Sequence, residues 1–377
     1  MKIAHVDHNL ASESGDPRMA YHIAQELKHR GHHMILYTLK FDPRFFPDLH
    51  QGLEIRQVSG SGDSSVAGQR AIAIAIDPDV DIVLFQDAFR VGAFYRRLVS
   101  RKAKTLWIMN SPPFEFLPKQ TPLHTFGAWL KAQLSKRDAK KYMDGVDHAV
   151  VIDKKGIEYC DVLGIPGTII PIGVEYKRFY APVKHIQDGK RIRLLGVGGI
   201  SRYRRYEDIV KAVAILRKKG YDARALLICK DFGHSPSYRR SFDLLVEREG
   251  VKEFIERRYD GASDEELLRA YRESDIYVFP NHVRIWGMAA FEAMAAGLPL
   301  IVSRVTSVAE VLEDGRNAIF VDRLCPDQIA ERIERLMNDP KMYRDIAEAG
   351  QKFVKDFLGW NMYVDKLEAI MKTLVTK

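Results

Sequence analysis

Cysteine is scarce in this chain. Three cysteines occur among 377 residues, Cys160, Cys229 and Cys325, and none belongs to a CxxC pair. An odd number of isolated cysteines argues against a disulfide framework or a zinc ribbon and fits a reducing compartment. The sequence also lacks a run of about 20 uncharged apolar residues, which a membrane-spanning helix would need. The longest apolar segment, residues 287–302, is interrupted by Glu292.

The first residues and the overall charge bound the location and the partners. A short apolar run leads at once to Asp7 and His8, so it is too short for a signal-peptide core and predicts a first β-strand. We therefore expect a cytoplasmic protein. Lys and Arg number 58 against 50 Asp and Glu, and the net charge of +8 favours an anionic partner. No RNP motif, zinc finger or KH loop is present, so we expect no nucleic acid.

Short apolar runs alternate with amphipathic runs along most of the chain. Buried strands with helical crossovers predict parallel sheets with helices on both faces. The pattern breaks near residues 171–189, which predicts two doubly wound α/β domains of about six strands each. Strands are predicted at residues 2–7, 34–39, 53–58, 81–86, 105–110, 148–153 and 167–172, and then at 191–197, 223–230, 254–260, 276–281, 299–304 and 318–322.

One loop between a strand and a helix carries candidate binding residues. In doubly wound folds, ligands bind beyond the carboxyl ends of the strands, at helix N-termini. After the strand at 276–281, Gly287 opens an alanine-rich helix whose first N–H groups, those of Met288 and Ala289, would suit a diphosphate. Glu292 lies about one turn further, where its carboxylate could accept ribose hydroxyls. The alternative is a surface glutamate on a helix that connects two strands.

The segment Asp275–Pro299 resembles the donor-site signature of the family 4 (group 1) glycosyltransferases, which have the GT-B fold. The resemblance extends over almost the whole chain. Its other parts are residues 2–7, Ser14-Gly15, residues 19–31, 170–182 and 302–318, and Phe357 with Trp360. By this resemblance Gly15 belongs to the glycine loop after the first strand, and we count it among the donor-binding residues.

The resemblance implies two Rossmann-like domains that face a central cleft. Residues 1–173 plus 358–377 would form the acceptor-side domain, and residues 174–357 the domain that binds the nucleotide-sugar. The implied reaction transfers a sugar from a UDP- or GDP-sugar, with retention of anomeric configuration and without a bound metal or other cofactor. The implied acceptor is a glycan or a lipid-linked molecule.

A basic loop follows the first strand of the second domain. The family usually has an Arg and, five positions later, a Lys that clamp the leaving diphosphate; here Gly199 takes the first position and Arg204 the second. The resemblance therefore implies that Arg204 binds the diphosphate, with Arg202 or Arg205 replacing the missing charge. Cations are needed because cleavage of the sugar–phosphate bond develops negative charge on the diphosphate. The alternative is a solvated basic turn.

Two more positions depart from the family pattern. Arg284 stands where the family has the first glutamate of a Glu-x7-Glu pair, of which Glu292 is the second, and Asn110 stands where a histidine usually shapes the sugar and acceptor pocket. Arginine fits either an anionic group on the donor or acceptor, or a protein carboxylate. These departures leave open a non-catalytic protein that binds nucleotide-sugars or glycans. A sugar phosphorylase on the same fold is a third alternative.

Two remaining patterns each have two interpretations. Asp77-Pro78-Asp79 matches a metal-binding DxD motif, but Asp and Pro are also ordinary residues of a helix-to-strand turn, and we predict no metal.

The basic stretch Lys131–Lys141 is preceded by and interleaved with Trp129, Leu130 and Leu134. It predicts either a solvated helix face or a peripheral contact with anionic lipid at the inner membrane surface.

Overall fold

The computed structural model describes residues 1–12, 15–59, 65–114, 126–186, 190–233 and 236–376. The chain divides into two compact units. The N-terminal unit comprises Met1–Ile172 and Trp360–Lys377, and the C-terminal unit comprises Gly173–Gly359. No helix within the described ranges is both long enough and apolar enough to cross a membrane.

The N-terminal unit is built on a parallel sheet with helices on both faces. Its elements are β1 (Lys2–Val6), β2 (Asn9–Leu10), α1 (Gly15–His29), β3 (His33–Thr38), β4 (Lys40–Phe41), α2 (Pro47–His50), β5 (Glu54–Gln57), α3 (Val66–Ala75), β6 (Ile82–Gln86), α4 (Val91–Leu98), β7 (Lys104–Met109), α5 (Phe126–Lys140), β8 (His148–Val151), α6 (Lys154–Leu163) and β9 (Gly167–Ile169). The seven-stranded sheet has the order β5-β3-β1-β6-β7-β8-β9. The short strands β2 and β4 form a separate pair.

The C-terminal unit repeats this architecture with six strands. Its elements are α7 (Tyr176–Phe179), β10 (Arg191–Gly199), α8 (Tyr206–Lys218), β11 (Asp222–Lys230), α9 (Pro236–Arg248), β12 (Ile255–Arg258), α10 (Asp264–Glu273), β13 (Ile276–Phe279), α11 (Met288–Ala295), β14 (Leu300–Ser303), β15 (Ile319–Val321), α12 (Pro326–Asn338) and α13 (Pro340–Phe357). The strand order is β12-β11-β10-β13-β14-β15, and each described pair is parallel. The last helix, α14 (Trp360–Thr376), belongs to the N-terminal unit and packs on α1.

Alternate residues of the central strands are buried on opposite faces of each sheet. In β10, Leu194 packs in a core with Ile209 of α8, whereas Leu195 packs in another core with Phe291 of α11. Burial of each such side chain contributes about 1.5–3 kcal/mol to folding. This two-sided burial explains the continuous apolar runs, and the predicted pair of doubly wound α/β sheets is confirmed.

A tight turn ends α11 and connects it directly to β14. Gly297 adopts φ +75° directly after the helix, a left-handed conformation that favours glycine. The N–H of Gly297 donates to the carbonyl of Met294 at 3.0 Å, and the N–H of Leu298 donates to that of Ala293 at 3.0 Å. The chain then enters β14 at once. Because α11 is the next element after β13, its N-terminus lies at the carboxyl end of that strand, where doubly wound folds bind ligands.

Candidate functional site

The N-terminus of α11 rests on the last residue of β13. A Cβ atom added to Gly287 would lie 2.4 Å from Cζ of the Phe279 ring, so glycine is required by close approach. No side chain caps the helix at Gly287. The first N–H groups of the helix, which include those of Met288 and Ala289, therefore lack a capping side chain. The strand order reverses between β10 and β13, so this loop lies at the switch point of the sheet.

Arg204 approaches the same aromatic ring from the β10 side. Its guanidinium carbon lies 5.9 Å from the centre of the Phe279 ring and 5.4 Å from that of Tyr203. Gly198, at φ +151°, makes room for it, because an added Cβ would lie 2.7 Å from Cζ of Arg204. One phenylalanine ring thus joins the Arg204 side chain to the N-terminus of α11.

Three N–H donors at this place have no hydrogen-bond partner within the described ranges: Nε of Arg204, Nδ2 of Asn281 and Nε1 of Trp286. Asn281 is 1% exposed. A buried donor without a partner costs about 1–3 kcal/mol, and native proteins keep few of them. We call these three residues and Gly287–Ala289 the α11 site. Its unpartnered atoms are donors, and Arg204 adds positive charge, which is the chemistry of an anion site.

The other two arginines of the basic loop point elsewhere. Arg205 forms a bidentate ion pair with Asp208, with 2.6 Å between Nη2 and Oδ1 and 3.1 Å between Nε and Oδ2. Asp208 is 1% exposed, so the charge of Arg205 balances a buried carboxylate. Arg202 is exposed, and its guanidinium lies 5.2 Å from the centre of the Tyr238 ring. Of the three, Arg204 is the one that reaches the α11 site.

A cavity opens beyond the neighbouring strands β11 and β12. It has a volume of about 480 Å³, and its lining includes Arg257 and Tyr259, with Arg239 stacked 4.0 Å above the Tyr259 ring. Gly199, the last residue of β10, packs closely against Phe232, because an added Cβ would meet the Phe232 ring at 2.9 Å. This cavity was not predicted from the sequence, although arginine and tyrosine at the end of the strand predicted at 254–260, followed by Gly261, were a signal for it.

Glu292 is held by a tyrosine that the sequence did not reveal. The hydroxyl of Tyr271 donates to Oε2 of Glu292 at 2.8 Å and approaches the carbonyl of Ala289 at 3.3 Å. Burial, and then the charge of Glu292, raise the pKa of Tyr271 well above its usual range, so the hydroxyl remains a donor. Glu292 itself is only half-buried. The contact orients its carboxylate one turn into α11.

Arg284 pairs with a carboxylate of the protein. Its Nη2 lies 2.9 Å from Oε1 of Glu310, in the 3₁₀ turn Ser307–Val311 that follows β14. Of the two interpretations of Arg284 from sequence, the structure contains the ion pair with a protein carboxylate. This ion pair gives no reason to expect that Arg284 selects an anionic sugar.

The other two candidates from sequence, Gly15 and Asn110, lie in the N-terminal unit. Gly15 opens α1, and Nδ2 of Asn110, which follows β7, lies 3.3 Å from Oδ1 of Asp16. The backbone N–H groups of Asn110 and Ser111 donate to Oδ1 of Asp87, both at 2.9 Å. Asp87 follows β6 at φ +54°, an uncommon conformation for a residue other than glycine.

Asp7, which follows β1, completes a group of three carboxyl groups at this edge of the sheet. Asp7 is 3% exposed. Burial, together with the charges of Asp16 and Asp87, raises the pKa of Asp7 to about 8. Burial, and then Asp16, raise the pKa of Asp87 to about 7, although the N–H donors of Ser111 and Asn110 oppose the shift. At neutral pH Asp7 therefore largely keeps, and Asp87 partly keeps, a proton that each would lose in water.

We expect Asp7 to lower stability as the pH rises from 5 to 8, against the opposite contribution of buried His5, whose pKa of about 3 makes stability rise with pH up to about 6.5. In this range folded Asp7 keeps a proton that the unfolded chain releases, so the free energy of unfolding decreases by at most about 1.4 kcal/mol per pH unit. Asp7→Asn should flatten this decrease, whereas Asp161→Asn, at an exposed position, should not. Urea unfolding at several pH values measures it. Equal slopes for the parent and Asp7→Asn would contradict the assignment.

The DxD carboxylates are engaged in ion pairs at the opposite, amino-terminal edge of the sheet. Nζ of Lys2 lies 2.9 Å from Oδ2 of Asp77 and 2.6 Å from Oδ1 of Asp79. Arg56 also pairs with Asp77, at 2.7 Å. Across the described part of the chain, no three His, Cys, Asp or Glu residues are grouped so that they could hold a metal ion.

Comparison with known sequences identifies a family and several relatives. Residues 180–353 match the family model of the glycosyl transferases group 1. The D-inositol 3-phosphate glycosyltransferase of Arthrobacter sp. (strain FB24) is 28% identical over 200 residues, which cover 51% of this chain and 46% of that protein. The capsular polysaccharide biosynthesis glycosyltransferase CapM of Staphylococcus aureus is 24% identical over 210 residues, 54% and 53% of the two chains. The chain spans about half the length of these curated relatives.

Solved structures resemble the whole chain. Anabaena Alr3699/HepE, crystallised in complex with UDP, has a TM-score of 0.78 at 14% identity, with 99% of this chain and 100% of that chain covered. Sucrose-phosphate synthase of Thermosynechococcus elongatus has a TM-score of 0.77 at 18% identity, with 100% and 99% covered. At such identities the likeness concerns the fold. Residues 180–353 therefore resemble the group 1 glycosyl transferases, and the chain has the GT-B fold.

Proposed function

We propose that the protein is a glycosyltransferase that moves a sugar from a UDP- or GDP-sugar to an acceptor. The observation that carries the proposal is the set of three unpartnered N–H donors at an uncapped helix N-terminus in the α11 site. The UDP complex of HepE, which shares the fold, supports a nucleoside diphosphate as the ligand. The names of the curated relatives support sugar transfer.

In this proposal the α11 site stabilises the leaving diphosphate. Negative charge grows on the diphosphate oxygens as the sugar–phosphate bond breaks, and Arg204 with the N–H groups of Met288 and Ala289 lies where it can offset that charge. The donors Asn281 and Trp286 gain acceptors at the same time. Because these groups are held before the reaction, little reorganisation is needed in the transition state.

The nucleoside would extend from this site toward the cavity beyond β11 and β12. Three strand spacings of about 4.8 Å separate β12 from β13, which places the cavity roughly 14 Å from the α11 site, a distance comparable to the length of a nucleoside diphosphate. The arginine and tyrosine side chains of the cavity would stack on the base. Glu292, oriented by Tyr271, would accept hydrogen bonds from the ribose hydroxyls.

We expect Glu292→Ala to weaken ribonucleotide binding selectively. Hydrogen bonds to a charged group contribute about 1.5–3 kcal/mol, so affinity for UDP should fall by about 10- to 150-fold. Affinity for the 2′,3′-dideoxy analogue should change little. Because Glu292 is half-buried and its partner Tyr271 retains the carbonyl of Ala289, the melting temperature should change by only a few degrees. Calorimetric titration measures both affinities; an equal loss for the two ligands would assign Glu292 a structural role.

We further propose retention of configuration and activity without a metal. Positive charge from Arg204 and the end of α11 would replace the charge stabilisation that a divalent ion supplies in other enzymes. The family resemblance supports retention. The remaining candidate from sequence, Asn110, belongs to the N-terminal unit, which we propose binds a glycan or a lipid-linked acceptor.

The exposed face of α5 supports a peripheral contact with an anionic membrane. Leu130 and Leu134, four residues apart on one helix face, are 43% and 58% exposed, and Trp129 is 42% exposed. Lysines and arginines follow them on the same helix. Apolar side chains beside basic ones are typical of helices that lie on anionic lipid. We propose a cytoplasmic protein that binds the inner membrane surface through this face.

Vesicle sedimentation tests the contact through α5. Replacing Leu130 and Leu134 by Asp should reduce binding to phosphatidylglycerol vesicles at least fivefold, because it removes buried apolar area and adds repulsive charge. Leu244→Asp, a control at an exposed leucine of the C-terminal unit, should bind like the parent. Equal binding to neutral phosphatidylcholine vesicles, or no effect of the double variant, would contradict the proposal.

Incubation with a panel of UDP- and GDP-sugars tests the proposed function. We expect release of nucleoside diphosphate from at least one of them, unchanged by EDTA, and NMR of the product should show the anomeric configuration of the donor. Release of nucleotide that depends on Mn²⁺ would contradict metal independence. Sugar phosphate formed from inorganic phosphate would favour a phosphorylase, and binding without turnover would favour a non-catalytic protein.

A further inference from the structure

The carboxyl edge of the N-terminal sheet carries a second polar cluster. Five residues form it, and we call them the edge cluster: Asp7, Asp16, Gln86, Asp87 and Asn110. Nε2 of Gln86 donates to the carbonyl of Asp16 at 3.0 Å, and Asn110 links Asp16 to Asp87 through its side chain and its N–H. Asp7 adjoins both carboxylates closely enough for their charges to raise its pKa.

The unpartnered atoms of the edge cluster are oxygens. Within the described ranges, Oδ2 of Asp7, Oε1 of Gln86 and Oδ1 of Asn110 have no hydrogen-bond partner. Gln86 is 2% exposed and Asp7 is 3% exposed, so water satisfies neither oxygen easily. The amide oxygens of Gln86 and Asn110 therefore require hydrogen-bond donors, O–H or N–H, whereas Asp7, which largely keeps its proton near pH 7, can donate or accept. The α11 site has the reverse need, because its unpartnered atoms are nitrogens that require acceptors.

The charges at this edge disfavour an anion. At pH 7.5 Asp87, whose pKa is about 7, is mostly ionised, and the charges that act on the neighbouring His8 are those of Asp16 and Lys40. Burial lowers the pKa of His8, so its ring is neutral at pH 7 and adds no positive charge. The left-handed backbone of Asp87 is held by the carboxylate's bonds to the N–H groups of Asn110 and Ser111, and strain of this kind is found at ligand-binding sites.

We propose that the edge cluster binds the acceptor through an uncharged polyhydroxyl group, a sugar or polyol that carries no phosphate where it meets the cluster. Its hydroxyls donate to the amide oxygens of Gln86 and Asn110 and exchange a hydrogen bond with Asp7, whereas a phosphate at the same place meets the Asp87 carboxylate. This names the acceptor class of the proposed glycosyltransferase and rests on that function. It also places Asn110 as a group that contacts the acceptor.

Ligand binding without any nucleotide tests the inference. The probes are glucose and myo-inositol, each compared with its monophosphate, titrated into the full chain by saturation-transfer NMR at pH 7.5. We expect at least one neutral probe to bind at least tenfold more tightly than its phosphate. Gln86→Leu should weaken the neutral probe at least fivefold. Asp87→Asn should reduce the ratio between the affinities for the neutral probe and for its phosphate at least tenfold. Asp161→Asn should change neither the affinity for the neutral probe nor this ratio.

The outcomes separate this inference from the proposed function. Tighter binding of the phosphates, no binding of either neutral probe, or an equal effect of the Asp161→Asn control would overturn the inference. A parent that prefers the neutral probes but turns over no nucleotide-sugar would overturn the proposed function and leave the binding site intact. Thermal melting of each variant distinguishes a lost contact from a lost fold, and Asp87→Asn tests the same site should Gln86→Leu not fold.

Discussion

Replacing Arg204 by alanine should lower the affinity of the protein for UDP or GDP by about 10- to 150-fold. This corresponds to the 1.5–3 kcal/mol of a hydrogen bond to a charged group. Turnover should fall further, by about 100- to 1000-fold, because the charge on the diphosphate is greatest in the transition state. Affinity for the free nucleoside should remain unchanged, since Arg204 lies beside the N-terminus of α11 and away from the cavity beyond β12.

The neighbouring arginines are matched controls for this variant. Arg202→Ala removes an exposed charge of the same loop and should leave UDP affinity within about twofold. Arg205→Ala should mainly destabilise the protein, by about 3–5 kcal/mol, because Asp208 would be left buried without its partner. Calorimetry with UDP and uridine, with urea unfolding, separates these effects. Unchanged UDP affinity in Arg204→Ala would remove the basis of the diphosphate assignment.

Gly287→Ala should damage both stability and nucleotide binding. The new Cβ would lie 2.4 Å from the Phe279 ring, and the helix or the ring must move. Overpacking of this kind costs about 1–3 kcal/mol. Because movement displaces the N–H groups of Met288 and Ala289, affinity for UDP should fall at least tenfold.

A second substitution tests whether the effect of Gly287→Ala arises from the contact with the Phe279 ring. Phe279→Leu removes the ring atom that a Cβ at Gly287 meets, so it should restore much of the UDP affinity to Gly287→Ala. Gly127→Ala, at a helical glycine with open space around it, should not destabilise the protein. If Phe279→Leu lowers UDP affinity additively with Gly287→Ala, close packing of the ring and the helix is not what positions the site.

Elements with strong local patterns were predictable from the sequence. The apolar runs predicted the strands of both sheets, although the two-residue strands β2 and β4 carry too short a pattern to be seen. Gly287 and the alanines after it predicted α11, because a glycine before an apolar helix is a local signal. The family resemblance is confirmed for residues 180–353, and the GT-B fold and the two parallel sheets are confirmed for the chain.

Contacts between distant residues were not predictable. Tyr271 lies 21 positions before Glu292, and Arg284 lies 26 positions before Glu310; only the strand order brings each pair together. The same reason applies within the basic loop. Three arginines look alike in sequence, and the buried Asp208 decides that Arg205 is paired inside the protein.

The edge cluster shows the same limit more strongly. Its carboxyl groups come from residues that follow β1 and β6 and from the first turn of α1, which adjacent parallel strands bring to one edge. Asn110 was singled out because it replaces a histidine of the family pattern. Its partner Asp16 and the neighbouring Gln86 belong to no sequence motif. The unpartnered oxygens of Asn110 and Gln86 could therefore be recognised only in three dimensions.

A crystal structure of the protein with UDP is the most direct test of the central claim, which is that the α11 site binds the diphosphate. We expect phosphate oxygens within about 3 Å of the N–H groups of Met288 or Ala289 and of the Arg204 guanidinium. We also expect the ribose on Glu292 and the base in the cavity beside Tyr259. Phosphates bound elsewhere, with Arg204, Asn281 and Trp286 still lacking acceptors, would contradict this claim.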